Sequence, residues 1–490
     1  MHPITPLIVL NRDSKIPVYK QISAAIANAI RHGLLKAGDQ LPGSRELAGS
    51  LKVHRKTVVA AYDELDAQEW INVLPRKRIR VSEHIPSLKG KEWKFSETGN
   101  PYELAYNFPF NPSTSSKRVN ERLNAPELVI DDGHPDIRLS PIDALLKTYR
   151  SYTKRNYAIK NANLGNSQGT LALRSQLADY LAQTRGLTIS AENLLITHGA
   201  QMCIYLAAQL LLNPNTTVVI GRPNYPAANQ VFGKTGSQII EIPVDENGMQ
   251  MDRLEAVCKA HNVTAVYIIP HHHYPTTATL SVHRRMELLS LSQTYSFVII
   301  EDDYDFDYHY DSAPYLPLAS ANHEGNVVYM GSFSKILGPS MRIGFMVATQ
   351  NFIEQCTHLR KLIDIGNDIY MQNALASLIA DGELSRHLKK ARKIYKGRML
   401  HLDRLLKTEL KGLVTYTIPT GGMALWVKLL PSIPVGEIKS LPQLEIIRVD
   451  LGENAFRFGF ASLSEEELSA AVQLLKGFCN AYLGKFIGFR

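Results

Sequence analysis

The chain has 490 residues, of which 45% are hydrophobic and 20% charged, a composition typical of a globular protein with two or three domains. It has no apolar run of membrane-spanning length, no signal-peptide pattern at its start and four scattered cysteines without metal-ligand spacing, so we expect a cytoplasmic protein without a membrane segment or metal site. The net charge of +8 is concentrated in residues 1–90, where 14 Lys and Arg outnumber 8 Asp and Glu, which indicates either a polyanionic partner or a solvated basic face.

Three helical patterns and two short alternating patterns occupy the first 85 residues. A tight turn at Lys52-Val53 separates the second and third helical patterns, and the basic segment 75–78 joins the two alternating ones. This order is typical of a winged helix-turn-helix, in which one helix enters the DNA major groove beside a β-hairpin. We predict helices over 18–30, 45–51 (with Ser44 as the N-cap) and 54–69, and strands over 71–74 and 79–81.

Basic and polar residues lie where this arrangement would meet double-stranded DNA. The first residues of the third helix would reach base edges and phosphates, an arginine of the second helix suits a backbone phosphate, and the hairpin suits the adjacent groove or backbone. The residues predicted to bind DNA are Arg45, His54, Arg55, Lys56, Thr57, Arg76, Lys77 and Arg78.

The segments 41–48 and 57–65 resemble the GntR family of bacterial transcription regulators. The resemblance covers roughly residues 14–83 and implies a DNA-binding domain, which we place at 10–83. Lys52 stands where that family often has a turn glycine, so we expect a positive φ at this lysine. Residues 84–106 are polar and interrupted by Pro and Gly, which is typical of an interdomain linker.

Apolar runs alternate with helical patterns between residues 131 and 350. This alternation predicts an α/β domain with a mainly parallel, buried sheet, whose ligands bind outside the carboxyl ends of the strands. Strands are predicted near 194–196, 218–220, 239–242, 265–269, 297–300, 327–330 and 344–347, and the predicted helices include 171–185, 200–212, 226–235 and 282–292. Residues 351–490 contain further helices and then alternating strand patterns.

Polar residues follow three of these strands, in the segments 197–201, 301–305 and 331–335, with Arg342 shortly beyond. A lysine, a carboxylate, a phenol and an anion site are what pyridoxal 5′-phosphate (PLP) needs. Lys335 would bond the PLP aldehyde, Asp302 would pair with the pyridine nitrogen, and Tyr304 would hydrogen-bond the phenolic oxygen. Ser332 and Arg342, with the amides of Gly199, Ala200 and Gln201, would hold the phosphate, and Tyr225 would stack on the ring.

Two other interpretations of these residues stay open at this point. Lys335 could be an ordinary surface lysine, and the acidic cluster 301–307 could bind Mg²⁺ or Ca²⁺. The choice of Asp302 rather than Asp303 as the pyridine partner rests on the family resemblance that follows.

Short segments along the whole chain resemble the MocR group, in which a GntR-type winged helix is fused to a domain similar to fold-type I aminotransferases. These segments are 133–136, 196–201, 224–226, 244–248, 301–305, 331–335, 421–423 and 457–461. The resemblance implies a PLP-dependent transferase-like large domain at 107–370, which holds the PLP site, and a smaller α+β domain at 371–490. It also implies that Lys335 and Asp302 bind PLP and that Arg457 binds an effector carboxylate, although an arginine on a strand could instead form a structural ion pair.

The chain departs from the MocR pattern at several positions. Leu164 stands where the group usually has a tyrosine whose hydroxyl reaches the phosphate bound by the partner subunit, and Thr277 replaces a glycine. Extra histidines in 271–273 could reshape the effector pocket, with His272 expected to face it; a metal site there would have no third ligand.

The resemblance implies a homodimeric transcription regulator that binds promoter DNA and senses PLP or an amino-compound effector. Regulation of this kind needs no turnover, although a half-reaction of transamination is compatible with the predicted site. The main alternative is an active aminotransferase with an appended DNA-binding domain. The other is a DNA-binding protein whose aminotransferase-like domain has lost its cofactor.

Overall fold

A computed structural model describes residues 4–74, 78–85, 109, 128–154, 156–157, 165–310, 315–366, 368–438, 443–447 and 453–487, without the side chains of residues 74, 78 and 485–487. The chain divides into two compact units, Met1–Val119 and Asn120–Arg490. Within the described residues, none of the helices is long and apolar enough to cross a membrane.

The N-terminal unit has the predicted winged helix-turn-helix arrangement. Its helices are α1 (Val18–Arg31), α2 (Ser44–Leu51) and α3 (Arg55–Ala67), and its strands are β1 (Gln40–Leu41), β2 (Ile71–Leu74) and β3 (Arg78–Val81). The strands form an antiparallel sheet in the order β1-β3-β2. The apolar stripes that predicted the helices meet in one core, where Ile22, Val58 and Leu65 are almost fully buried.

Two local predictions in this unit have different outcomes. Lys52 ends α2 in the left-handed region with φ 52°, as its place in the turn predicts. The prediction that Ser44 is the N-cap of α2 is wrong, because Ser44 is the first helical residue and Gly43 occupies the cap with an extended backbone. The core also begins earlier than residue 10, because Ile4 and Ile8 are buried in it.

The larger unit alternates strands and helices along the chain. Its helices are α4 (Ile142–Tyr152), α5 (Leu171–Arg185), α6 (Ala200–Leu211), α7 (Pro226–Lys234), α8 (Met251–Ala260), α9 (Val282–Tyr295), α10 (Ser334–Leu337), α11 (Gln350–Lys361), α12 (Ile369–Ala380), α13 (Glu383–Glu409) and α14 (Glu465–Ile487). Its strands are β4 (Leu128–Ile130), β5 (Leu194–Thr197), β6 (Thr217–Arg222), β7 (Gln238–Asp245), β8 (Gly248–Met249), β9 (Val263–Ile268), β10 (Val298–Asp302), β11 (Val327–Ser332), β12 (Gly344–Val347), β13 (Val414–Thr415), β14 (Ala424–Leu429), β15 (Leu444–Ile446) and β16 (Ala455–Gly459).

The central sheet has eight strands in the order β5-β12-β11-β10-β9-β6-β7-β8. Among the described strands of this sheet, only β12 and β8 run antiparallel to their neighbours, so the prediction of a mainly parallel sheet is confirmed. Apolar clusters cover both faces of this sheet, which explains why its strands are continuous apolar runs. Strands β5, β6, β9, β10 and β11 end at the same edge, and that edge carries the polar segments singled out above.

A smaller antiparallel sheet, β13-β14-β16, packs with α13 and α14 in the C-terminal part of the chain. Two elements connect the predicted large domain, 107–370, with the predicted small domain, 371–490. Strand β4 pairs in parallel with β15, and α12 packs against α4 and α5. The predicted linker lies mostly outside the described residues, so its structure stays a prediction.

Candidate functional site

A cavity of about 230 Å³ lies at the carboxyl edge of the central sheet. It is lined by most of the residues predicted to hold the cofactor: Ala200, Gln201, Tyr225, Asp302, Tyr304, Ser332, Lys335 and Arg342. These residues lie at or just beyond the carboxyl ends of several strands, so the sheet topology brings together segments that are far apart in the chain.

Lys335 lines this cavity and is half-buried, so it is not an ordinary surface lysine. It lies in the short helix α10, directly after β11. Its Nζ donates a hydrogen bond to the main-chain oxygen of Gly133 at 2.6 Å and lies 5.6 Å from the centre of the Tyr304 ring. Burial lowers the pKa of Lys335, despite the opposing effect of Asp132. A lower pKa increases the fraction of the neutral amine, which is the form that attacks a carbonyl carbon.

Asp302 is the carboxylate that faces the cavity. It is the last residue of β10 and only 3% exposed. Its Oδ2 accepts a hydrogen bond from the Tyr267 hydroxyl at 2.7 Å, whereas its Oδ1 is buried without a hydrogen-bond partner among the described residues. Burial raises the pKa of Asp302 to about 7. A buried acceptor of this kind is costly unless a donor meets it, and a protonated ring nitrogen would be such a donor.

Asp303 belongs to a separate buried network. Its Oδ2 accepts a hydrogen bond from the Tyr329 hydroxyl at 2.9 Å, and its Oδ1 lies 3.0 Å from Nδ1 of His271. These partners keep the pKa of Asp303 below its usual value even though burial opposes this. The two adjacent carboxylates therefore have different surroundings, and the geometry favours Asp302 as the partner of the cofactor.

The phosphate end of the predicted site is a cradle made by Gly199, the start of α6, and Arg342. Gly199 caps α6 with φ 93°, and a Cβ there would lie 2.8 Å from Nη2 of Arg342. Arg342 itself donates to the main-chain oxygen of His198 at 2.9 Å and has a left-handed φ of 50°. The first N–H groups of a helix have no acceptor within the helix, so the start of α6 beside a guanidinium suits a phosphate.

Tyrosine side chains form part of the cavity wall. The Tyr225 ring packs edge to face against Tyr274, with the ring centres 5.4 Å apart. The Tyr304 hydroxyl donates to the main-chain oxygen of His272 at 3.0 Å and lies 3.4 Å from Nη2 of Arg457. The structure therefore places both predicted tyrosines, Tyr225 and Tyr304, at the cavity. The hydroxyl of Tyr304, however, already contacts His272 and Arg457.

Arg457, on β16, lies behind the cavity wall and does not line it. Its Nε donates to the main-chain oxygen of Asp132 at 2.8 Å, and its Nη1 donates to that of Pro275 at 3.2 Å. Its guanidinium also lies over the Tyr274 ring, 4.8 Å from the ring centre. The arginine expected to bind an effector carboxylate is thus buried and engaged with neighbouring protein groups.

The structure does not bring His272 to the cavity. Its Nδ1 lies 3.0 Å from Oδ1 of Asp305, and its ring packs against the glycine pair 421–422. The neighbouring His273 lies 2.9 Å from the main-chain oxygen of Pro223, and burial lowers its pKa to about 4. Thr277, in the same loop, adopts a left-handed φ of 61°, the conformation that glycine favours at this family position.

Four polar residues that line the cavity were not among the predicted site residues: Asp132, His134, Tyr274 and Ser334. Asp132 is the most informative of these, because its Oδ2 accepts from the Tyr274 hydroxyl at 3.2 Å and its Oδ1 lies 3.2 Å from Nε2 of His134. The only available signal was the position of Asp132 beside the segment 133–136, and periodicity does not predict which cavity a loop residue reaches.

The predicted DNA-binding residues of the described chain lie around the first turns of α2 and α3. Arg45, His54, Arg55 and Lys56 are exposed and Thr57 is half-buried. His54 caps α3 by accepting a hydrogen bond from the Lys56 amide, and Nε of Arg55 donates to the Ser44 hydroxyl at 3.3 Å. Arg76, Lys77 and the side chain of Arg78 lie outside the described residues, as does Leu164, so those predictions stay untested.

The cavity fits PLP in three independent respects. It holds a half-buried lysine, a buried carboxylate oxygen that has no donor among the described residues, and a helix N-terminus beside an arginine. Residues 139–475 match the family described as aminotransferase class I and II. The chain belongs to this family. Residues 18–81 match the bacterial regulatory proteins of the gntR family, so this aminotransferase-family chain has the predicted MocR combination of a DNA-binding domain and a PLP-binding domain.

Related proteins align with most of this chain. The HTH-type transcriptional regulator YdfD of Bacillus subtilis is 27% identical over 474 residues, which cover 94% of this chain and 95% of YdfD. The probable rhizopine catabolism regulatory protein MocR of Rhizobium meliloti is 24% identical, over 86% of this chain and 83% of that protein. A crystal structure of Pyrococcus horikoshii kynurenine aminotransferase in complex with PMP matches with a TM-score of 0.69 and 27% identity, over 76% of this chain and 96% of that one.

Proposed function

We propose that this protein is a cytoplasmic, homodimeric transcription regulator that senses PLP or an amino compound and acts without sustained turnover. The observation that carries the proposal is that one chain combines two features. Its cavity is lined by residues suited to PLP, and its GntR-type domain exposes basic residues at the N-terminus of α3. The full-length similarity to proteins named as transcriptional regulators supports it.

Each cavity residue has a defined role in this proposal. Lys335 holds the cofactor through its amine, and Asp302 keeps the ring nitrogen protonated. The Gly199 cradle and Arg342 hold the phosphate. PLP, when bound, supplies an aldehyde that reacts with amines and a ring that withdraws electrons. The protein side chains bind and orient the cofactor, and Asp302 does so from a buried strand end.

Regulation then requires that the effector bind one state of the protein better than another. An effector with equal affinity for the two states would shift no equilibrium, however tightly it bound. Coupling free energies between sites are typically about 1–3 kcal/mol, so an effector should change DNA affinity by about 5- to 150-fold.

The proposal is tested with purified full-length protein and PLP. Wild-type protein should develop the absorbance band of a lysine-bound cofactor, and Lys335→Ala should lack it. Loading with PLP, or adding an amino compound to the loaded protein, should change the affinity for promoter DNA. A band that persists in Lys335→Ala would remove the assigned role of this lysine, and DNA affinity that stays constant under all these conditions would remove the regulatory proposal.

An active aminotransferase is the second candidate, because the cavity contains a lysine and a carboxylate suited to the ring nitrogen, and the chain has the fold of the kynurenine aminotransferase structure. The two candidates differ in steady-state kinetics. The regulator completes at most one half-reaction per cofactor, whereas the enzyme turns over continuously with an amino donor and a keto-acid acceptor. Sustained turnover at a rate typical of enzymes, about 1 per second or faster, would favour the second candidate.

A further inference from the structure

We infer that Tyr267 is a positioning residue of the cofactor site, whose hydroxyl holds one oxygen of Asp302 and leaves the other oxygen as an ionised acceptor for the ring nitrogen of PLP. The inference rests on the assignment of Asp302 as the partner of that nitrogen. It goes beyond this assignment, because Tyr267 does not itself line the cavity and acts on the cofactor through Asp302.

The Tyr267 side chain lies on the face of the sheet from which Asp302 projects. Tyr267, on β9, pairs in register with Ile300 of β10, and residues two apart in a strand point to the same face. The Tyr267 hydroxyl donates a hydrogen bond to Oδ2 of Asp302 at 2.7 Å. The tyrosine is fully buried, and its ring packs against that of Phe232 from α7 with the ring centres 5.4 Å apart. Burial and ring packing therefore hold the hydroxyl against one oxygen of the carboxylate.

The adjacent carboxylate, Asp303, does not depend on a single donor in this way. It points to the opposite face of the sheet, where Tyr329 and His271 both contact it. Asp302 has one hydrogen-bond donor among the described residues, the Tyr267 hydroxyl, and its Oδ1 has none. Loss of one hydroxyl should therefore affect Asp302 more than Asp303.

The surroundings of Asp302 otherwise favour its neutral form. Burial raises its pKa to about 7, the hydrogen bond from Tyr267 opposes this effect, and neighbouring carboxylates add to it. Neither Lys335 nor Arg342, the cations that line the cavity, contributes to this balance. The other titratable groups that interact with Asp302 are not cations: Asp303, Asp305, Tyr225 and Cys203. Within the described part of the chain, Tyr267 is thus the group that stabilises the ionised carboxylate.

Loss of the Tyr267 hydroxyl should change the protonation of Asp302. Both carboxylate oxygens would then lack a donor, and a buried carboxylate in that situation tends to take up a proton. A neutral acid no longer offsets the charge of a protonated ring nitrogen, so PLP would bind more weakly. At higher pH the acid ionises again, and the loss of affinity should shrink.

The test compares Tyr267→Phe with Tyr329→Phe, because each variant removes one buried hydroxyl from one of the two adjacent carboxylates and keeps the ring. Cofactor-free, full-length protein is titrated with PLP at several pH values, and the dissociation constant of each variant is divided by that of the wild type. For Tyr267→Phe this ratio should be about ten near neutral pH and should fall as the pH rises. For Tyr329→Phe it should stay close to unity at every pH.

A second measurement, the unfolding free energy from urea titrations, needs no cofactor. In the wild type it should fall as the pH rises towards the pKa of Asp302 in the folded protein, about 7, because the unfolded chain releases that proton at lower pH. In Tyr267→Phe the fall should continue to higher pH. Replacement of Tyr267 by a ring-fluorinated tyrosine of nearly the same size, whose more acidic phenol is a stronger donor, should make the fall end at lower pH.

A double-mutant cycle isolates the coupling between the two residues. In Asp302→Asn no carboxylate remains for the hydroxyl to keep ionised, so adding Tyr267→Phe should weaken PLP binding by less than about twofold.

Three results would overturn the inference: wild-type PLP affinity in Tyr267→Phe, a loss of affinity that does not change with pH, and full additivity with Asp302→Asn. If Tyr267→Phe fails to fold, an unchanged pH dependence of unfolding in the fluorinated protein overturns the inference by itself. Failure of the proposed function is distinguishable, because DNA affinity would then stay constant while the results on PLP binding and unfolding still hold.

Discussion

Asp302 gives the sharpest test of the cofactor site, because one of its carboxylate oxygens is buried without a partner. Replacing Asp302 with Asn keeps the size of the side chain and an acceptor for the Tyr267 hydroxyl, but it places an amide where the protonated ring nitrogen needs an anion. A hydrogen bond to a charged group contributes about 1.5–3 kcal/mol, and each 1.4 kcal/mol is tenfold in affinity. We therefore expect Asp302→Asn to weaken PLP binding by about ten- to a hundredfold.

The assay is a titration of the cofactor-free protein with PLP, followed by absorbance and by the shift in thermal unfolding temperature. Asp303→Asn is the matched control, because this adjacent carboxylate faces Tyr329 and His271 instead of the cavity. It should lose about 1–3 kcal/mol of unfolding free energy but keep the wild-type affinity for PLP. Wild-type affinity in Asp302→Asn, or a loss of affinity confined to Asp303→Asn, would refute the assignment.

Three further predictions concern other parts of the chain. Arg55→Ala should weaken binding to DNA of any sequence and reduce the dependence of DNA affinity on salt concentration by about one phosphate contact. Lys20→Ala, on the exposed side of α1, is the control and should change neither. If fluorescence anisotropy gives the two variants the same salt dependence of DNA affinity, the placement of the recognition helix is contradicted. Gly199→Ala should introduce about 1–3 kcal/mol of backbone strain, and its new Cβ would push against Arg342. The variant should therefore bind PLP more weakly than the wild type in the PLP titration described above. An unchanged PLP affinity would argue against the phosphate cradle. Burial raises the pKa of Asp302 from 3.8 to about 7, so the folded cofactor-free protein retains a proton that the unfolded chain releases. The unfolding free energy, measured by urea titration, should therefore fall as the pH rises from about 4 to about 7, by up to about 1.4 kcal/mol per pH unit. An equal pH dependence of the unfolding free energy in wild type and Asp302→Asn would count against this.

The secondary structure was largely predictable because its signals are local. Helix α5 has the predicted bounds, Leu171–Arg185, and each predicted apolar run lies within a strand of the central sheet apart from at most one residue at an end. These strands are buried on both faces, so they read as continuous apolar segments, while amphipathic helices separate them. The same logic placed Lys335, Asp302 and the start of α6 at one edge, because parallel strands end together. The Ser44 cap failed because Ser and Gly are both good N-caps and stand side by side here.

The sequence by itself thus determined the fold class, the order of the elements and most of the residues predicted to hold the cofactor that line the cavity. Only the tertiary structure decided which side chains complete the cavity. Asp132 and Tyr274 enter the wall from loops more than 100 residues apart in the chain, Arg457 turns out to lie behind that wall, and His272 is held by Asp305. The physical reason is that periodicity reports which face of an element is buried, whereas the partner of a polar loop residue depends on how distant segments pack together.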